Sequence, residues 1–235
     1  MKKTIGIIGG MGPAATVDLY ARIVEATDAA TDAEHLHVII DSNTAVPDRT
    51  AAILRGGADP TPELIRSARR LESAGAELLM LACNTSYYFY DRFAAAVSVP
   101  FLHMPRETAR EASRRGYGRI ALLATDGTRQ AGVYQQAFDL AAPEVELLLP
   151  EEDDQALVMA LIYDNVKAGR WDLPAERLAA MLERLRDRGA EAFVLGCTEL
   201  PIAFRHYAFP VETLDPTTVL ARAAVLAAGG KLKEE

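Results

Sequence analysis

The chain holds only two cysteines, Cys83 and Cys197, in 235 residues. Each follows an apolar run and precedes polar residues, Asn84-Thr85 in one case and Thr198-Glu199 in the other. A single cysteine on an apolar strand is ordinarily a small core residue. The matched placement of these two points instead to acid–base chemistry. A thiol where a strand meets a helix N-terminus is made more acidic by backbone N–H groups and the helix dipole. Thiols on opposite sides of one carbon can carry a proton from one face to the other, one starting as thiolate and the other as thiol, with roles exchanged in reverse. Each would stand roughly 3–3.5 Å from that carbon, so the sulfurs would lie roughly 7 Å apart. That is far beyond the ~2.05 Å of a disulfide. A Cys83–Cys197 disulfide is not expected in an acidic chain with no other cysteines. The charge developing on the carbon needs nearby donors, and Asn84, Thr85 and Thr198 are the candidates.

The elements that must position these thiols are written twice. Thr4-Ile5-Gly6-Ile7-Ile8 ends in Gly9-Gly10-Met11-Gly12-Pro13, and a helical stretch runs from Ala14 to about Ala26. Arg119 to Ala124 ends in Thr125-Asp126-Gly127-Thr128, again before a helical stretch. Thr61, as N-cap, and Pro62 open a helix to Gly75, followed by Ala76-Glu77, an apolar strand and Cys83. Pro174 opens a helix to Gly189, followed by Ala190-Glu191, an apolar strand and Cys197. One offset of about 114–115 residues relates both matches, which implies two similar α/β halves. Alternating strands and helices predict parallel sheets, with ligands beyond the carboxyl ends of the strands. The expected fold is therefore two pseudo-symmetric parallel-sheet α/β halves with the site in the cleft between them. The first half is placed at 1–103, completed by a C-terminal helix within 213–235, and the second at 104–209.

Composition narrows the function. Half the residues are hydrophobic, a quarter are charged, and the formal net charge is −8, as in an ordinary globular protein. The acidic balance argues against nucleic acid. The most basic stretch, Arg106 to Arg119, also carries Glu107 and Glu111 and reads as a solvated helix face. No apolar run approaches the ~20 residues that span a bilayer, and no signal peptide is evident at the N-terminus, so a cytoplasmic protein off the membrane is expected. His35, His37, His103 and His206 lack ligand spacing, and no metal is expected.

Gly10-x-Gly12-x-x-Ala15 satisfies a minimal dinucleotide fingerprint. Pro13, however, removes a backbone N–H where a pyrophosphate would need one. We read this turn as the floor of the cleft, with Met11 and, from the other half, Thr125 near the ligand. Arg49 follows a strand, His37 to Ile40, in a polar segment. It could be a solvated surface residue, or it could grip a carboxylate bidentately. Lys167 either complements a helix C-terminus before Gly169 or meets an anionic ligand. Glu199 either tunes the Cys197 thiol or pairs with a backbone group. Asp126 reads as a turn residue, and the run Tyr87 to Tyr90 as packing at a helix start.

Taken in order, Gly9-Gly10-Met11-Gly12-Pro13, Ser42-Asn43-Thr44, Pro47-Asp48-Arg49-Thr50, Ala82-Cys83-Asn84-Thr85, Tyr163 to Gly169, and Gly196-Cys197-Thr198-Glu199-Leu200-Pro201 resemble the aspartate/glutamate racemase family across almost the whole chain. The resemblance implies racemisation of aspartate or glutamate without pyridoxal phosphate or metal, with Cys83 and Cys197 as the two bases. It places the segments of Arg49 and Lys167 on the distal carboxylate and Asn84, Thr85 and Thr198 on the α-carboxylate, and it implies a homodimer. Many members carry histidine where this chain has Tyr87, which bears on thiol tuning or substrate preference in that half. Relatives acting on other small acids, by isomerisation or decarboxylation, and a non-catalytic small-acid binder are the competing readings.

Overall fold

A computed structural model describes residues 2–234. Among the described residues seven strands form two parallel sheets. The first comprises β1 (Ile5–Gly9), β2 (Val38–Ser42) and β3 (Leu78–Leu81), in the order β2-β1-β3. The second comprises β4 (Arg119–Leu123), β5 (Glu146–Leu148), β6 (Ala192–Leu195) and β7 (Thr213–Leu214), in the order β5-β4-β6-β7. The helices are α1 (Pro13–Ala26), α2 (Arg49–Leu54), α3 (Thr61–Ser73), α4 (Tyr90–Ala94), α5 (Met104–Arg114), α6 (Asp126–Gln130), α7 (Val133–Ala141), α8 (Glu152–Ala160), α9 (Ala175–Asp187), α10 (Leu200–Tyr207) and α11 (Pro216–Ala227). A 3₁₀ turn spans Thr85–Phe89, and a π-helical segment spans Leu161–Lys167.

The duplication is visible in the strand register. Ile5 pairs with Leu78 in the first sheet, and Ile120 pairs with Ala192 in the second. The second pair stands 115 and 114 residues beyond the first. The α/β class and the parallel sheets are as the sequence predicts. All four residues of β3 and of β6 are buried, because helices cover both faces of a parallel sheet. Period-two alternation divides the second sheet cleanly. Ile120, Leu122, Ala192 and Val194 pack with α5 and α7, while Ala121, Leu123, Phe193 and Leu195 pack with α8, α9 and α10.

Of the span 213–235, Thr213–Leu214 pairs with β6 in the second sheet. Leu220, Ala221, Ala224 and Val225 of α11 enter the core of the first half, where α11 lies against α1 and also against α5. A half-buried ion pair pins that helix, with Arg22 Nη1 2.7 Å from Asp215 Oδ2. The N-cap expected at Thr61 falls elsewhere. Thr61 is already the first helical residue, and Asp59 accepts from its N–H at 3.0 Å. An aspartate two residues upstream offers the better-placed acceptor, so Thr61 turns inward and is buried.

Candidate active site

Both thiols sit two residues past a buried strand, Cys83 after β3 and Cys197 after β6. They are free and line one cleft between the halves. Met11, Arg49, Asn84, Thr85, Thr125, Lys167 and Thr198 line the same cleft. All nine residues singled out from sequence are thus brought together. Asp48, Thr50, Tyr163 and Glu199 complete the wall, and the empty space here, including the part open to solvent, is about 410 Å³.

The floor is made by the two matched turns. Gly10 has φ +90°, and a Cβ there would fall 2.4 Å from the Asn43 carbonyl carbon, so only glycine permits the turn. Thr16 Oγ1 accepts from the Gly10 N–H at 2.9 Å and anchors the turn to α1. In the second half Thr125 caps α6, its hydroxyl accepting from the Thr128 N–H at 3.2 Å. Thr85 Oγ1 stands 2.9 Å from Thr128 Oγ1 and 3.4 Å from Thr125 Oγ1, joining the halves through buried hydroxyls. Gly127 lets α6 approach α2, since a Cβ there would sit 2.7 Å from Thr50 Oγ1.

Arg49 opens α2 behind its N-cap Asp48, whose carboxylate accepts from the Ala51 N–H at 2.6 Å. That start lets the guanidinium fold back onto three carbonyls, those of Pro47 at 3.0 Å, Met11 at 3.2 Å and Val46 at 3.4 Å. Its Nε is buried without a partner. None of the ion pairs among the described residues involves Arg49. The result is a fixed cation without a carboxylate partner, at the cleft wall. Lys167 does not merely close a helix C-terminus. Its Nζ lies 4.5 Å from the centre of the Tyr163 ring and 3.7 Å from Glu199 Oε1. Burial alone would lower the Lys167 ammonium, but the nearby Glu199 carboxylate leads the groups that hold it above its ordinary value.

Asn84 is oriented from the other half. The fully buried Tyr134 donates its hydroxyl to Asn84 Oδ1 at 2.5 Å. With that oxygen engaged, the amide nitrogen is what Asn84 can turn to the cleft. The Thr198 hydroxyl, expected at the α-carboxylate, donates to Glu199 Oε2 at 3.1 Å. The Cys197 thiol donates to the same oxygen at 2.9 Å. Burial, and then the Glu199 charge, push this thiol well above its ordinary value. At Cys197, therefore, the expected lowering by a helix N-terminus is overcome by desolvation and a neighbouring carboxylate.

Tyr87 is buried behind the cleft. Its hydroxyl donates to the Leu102 carbonyl at 3.1 Å, and its ring lies 4.7 Å from His103. Tyr87 and Phe89 pack inward, while Tyr88 is exposed. Asp126 accepts from Gln155 Nε2 at 2.8 Å, which ties the second turn to α8. The charges of α5 pair along its surface, Arg110 with Glu107 and Arg114 with Glu111. Among the described residues no helix is long and apolar enough to cross a membrane.

The sequence pattern of the Asp/Glu/Hydantoin racemase family matches residues 8–224. The chain belongs to this family. It is 26% identical over 227 residues to a broad-specificity amino-acid racemase from Bacillus subtilis, covering 94% of this chain and 96% of that protein. A glutamate racemase from Desulforudis audaxviator is 31% identical over 180 residues, covering 70% of this chain and 62% of its own length. Among solved structures, Picrophilus torridus aspartate racemase superposes with a TM-score of 0.81 at 28% identity, covering 98% of this chain and 96% of its own. An aspartate racemase homologue from Pyrococcus horikoshii gives 0.80 at 28% identity, covering 97% and 99%. Membership of a racemase family makes the chain an isomerase by kinship and the cleft its candidate active site. Sequence reasoning passed over Tyr163, Asp48 and Thr50 as cleft residues. The signal for Tyr163 was its spacing, since it lies one helical turn before Lys167. Asp48 and Thr50 flank Arg49 directly.

Proposed function

We propose that the protein racemises an acidic amino acid, aspartate or glutamate, by two-base proton transfer without pyridoxal phosphate or metal. One observation carries this reading: two free thiols from matched strand ends line a single cleft beside the caged Arg49 guanidinium. In one direction the Cys83 thiolate takes the α-proton and becomes a thiol. The electron pair left on the carbon spreads into the α-carboxylate. Cys197 then gives its S–H proton to the opposite face and is left as thiolate. The other enantiomer runs the same steps backwards. Donors from Asn84 and the hydroxyls of Thr85 and Thr125 stabilise the α-carboxylate as it takes up charge. Arg49, with Lys167, binds the distal carboxylate.

Metal-free, cofactor-free protein incubated with L-aspartate or L-glutamate in D₂O tests the proposal. Chiral chromatography should show the D-enantiomer, and mass spectrometry should show deuterium at the α-carbon without loss of carbon dioxide. Cys83→Ala and Cys197→Ala should each lose racemisation while keeping the native circular dichroism spectrum. Decarboxylation, or substrate binding with no exchange, would overturn the reading. A homodimer acting in the cytoplasm belongs to the same proposal, and sedimentation velocity reads the oligomer.

A further inference from the structure

The two halves match in fold but not in charge at the thiols. Two residues beyond Cys83 stands a neutral threonine, Thr85, whereas two residues beyond Cys197 stands Glu199. Glu199 Oε2 accepts from the Cys197 thiol at 2.9 Å and from the Thr198 hydroxyl at 3.1 Å. Its other oxygen faces Lys167 Nζ at 3.7 Å. Building on the two-thiol reading, we propose that Glu199 is a positioning residue that holds the proton on Cys197, so that the free enzyme is loaded one way, with Cys197 as the acid and Cys83 as the base. A carboxylate accepting an S–H bond stabilises the thiol. A thiolate in the same place would set two negative charges against each other in a buried site.

The other charged groups bear on this in known directions. Lys167 and Tyr163 approach from the π-helical segment, and Arg49, Asp48 and Cys83 face the sulfur's cleft from the first half. The Tyr134 phenol lies behind, held neutral by burial. The nearer cation, Lys167, works against the bias by favouring thiolate, yet burial and Glu199 together outweigh it. Lys167 therefore pairs with Glu199 and supplies a counter-charge to Cys197 once that thiol has given up its proton.

Turnover cannot read this bias through kcat/KM. Enantiomers have equal free energy, so the equilibrium constant is one and kcat/KM must match in the two directions. The thiols must be read directly. Iodoacetamide labelling of the free, full-length protein, resolved by residue with mass spectrometry across pH, does so. Cys83 should label ahead of Cys197 at neutral pH. Glu199→Gln should speed Cys197 labelling about 10-fold or more and leave the Cys83 rate within about twofold. Lys167→Met should slow Cys197 further. If Glu199→Gln does not fold, Glu199→Asp withdraws the carboxylate by one methylene and should give an intermediate gain. Equal labelling of both thiols in the wild type, or no change at Cys197 when Glu199 is replaced, would overturn the proposal. Labelling needs no turnover, so an inactive protein with this bias intact would defeat the racemase reading and spare this one.

Discussion

Tyr134→Phe removes one oxygen, fully buried, from a residue that does not line the cleft. The change deletes the 2.5 Å bond to Asn84 Oδ1 and strands that buried acceptor. An orphaned buried acceptor costs about 1–3 kcal/mol. In a protein of this size each kcal/mol shifts Tm by about 2–4 °C, so melting should fall by about 2–12 °C. The larger consequence is at the site. Without the phenol the Asn84 amide is free to turn, and its nitrogen is no longer held toward the cleft, the side where the proposed substrate's α-carboxylate would bind. A hydrogen bond to a charged group is worth about 1.5–3 kcal/mol, which corresponds to a loss of about 10- to 150-fold in kcat/KM. A double-variant cycle isolates the effect. Asn84→Ala should lose at least as much activity as Tyr134→Phe, and the double variant should be no worse than Asn84→Ala alone. Polarimetry with both enantiomers gives the rates, and differential scanning calorimetry gives Tm. If Tyr134→Phe lowers Tm but keeps kcat/KM within twofold of wild type, or if the two losses add in full, the phenol only supports the fold and the reasoning fails.

Arg49→Lys keeps the charge but loses the three-carbonyl cage and the guanidinium fork. KM for dicarboxylic amino acids should rise about 10-fold or more, and an equal rise for alanine would show that Arg49 does not read the distal carboxylate. Gly127→Ala drives a Cβ to 2.7 Å from Thr50 Oγ1 and 3.1 Å from its Cβ and Cγ2. The contact between α2 and α6 should lose about 1–3 kcal/mol, and Thr50→Ala should recover it in urea unfolding. His103 is held down to about 4 from 6.5, first by burial and then by Arg106. The unfolded chain therefore binds the extra proton first as pH falls. Its contribution to stability is complete above about pH 6.5 and is lost on the way down to about pH 4. His103→Asn keeps an acceptor for the cap that Nδ1 now supplies to the Arg106 N–H at 3.4 Å. That variant should lose stability less steeply over this range, and an unchanged slope in denaturant midpoints would contradict the assignment.

Much of this molecule could be read from local pattern. The alternation of apolar runs with helical stretches predicts parallel α/β layers, and the repeated Gly-Ala-Glu, strand and cysteine places both thiols at equivalent strand ends. The glycine turn and the Pro47-to-Thr50 segment are likewise legible, because turn chemistry and helix starts depend on residues a few positions apart. Thr61 shows the limit even there. The cap position falls at Pro60, and Asp59 rather than Thr61 supplies the side-chain acceptor for the first helical N–H.

Sequence by itself determined that there are two halves, that each presents one thiol, and which end of which strand carries it. Spacing along a chain settles such things because the periods of strand and helix are intrinsic. The tertiary structure alone decided the character of each group. Burial and Glu199 push the Cys197 thiol up, Arg49 is caged partly by the carbonyl of Met11, and Asn84 is turned by Tyr134, which lies fifty residues away. Desolvation and the choice of hydrogen-bond partner depend on what packs nearby in space, and neither property has a period that a sequence can display.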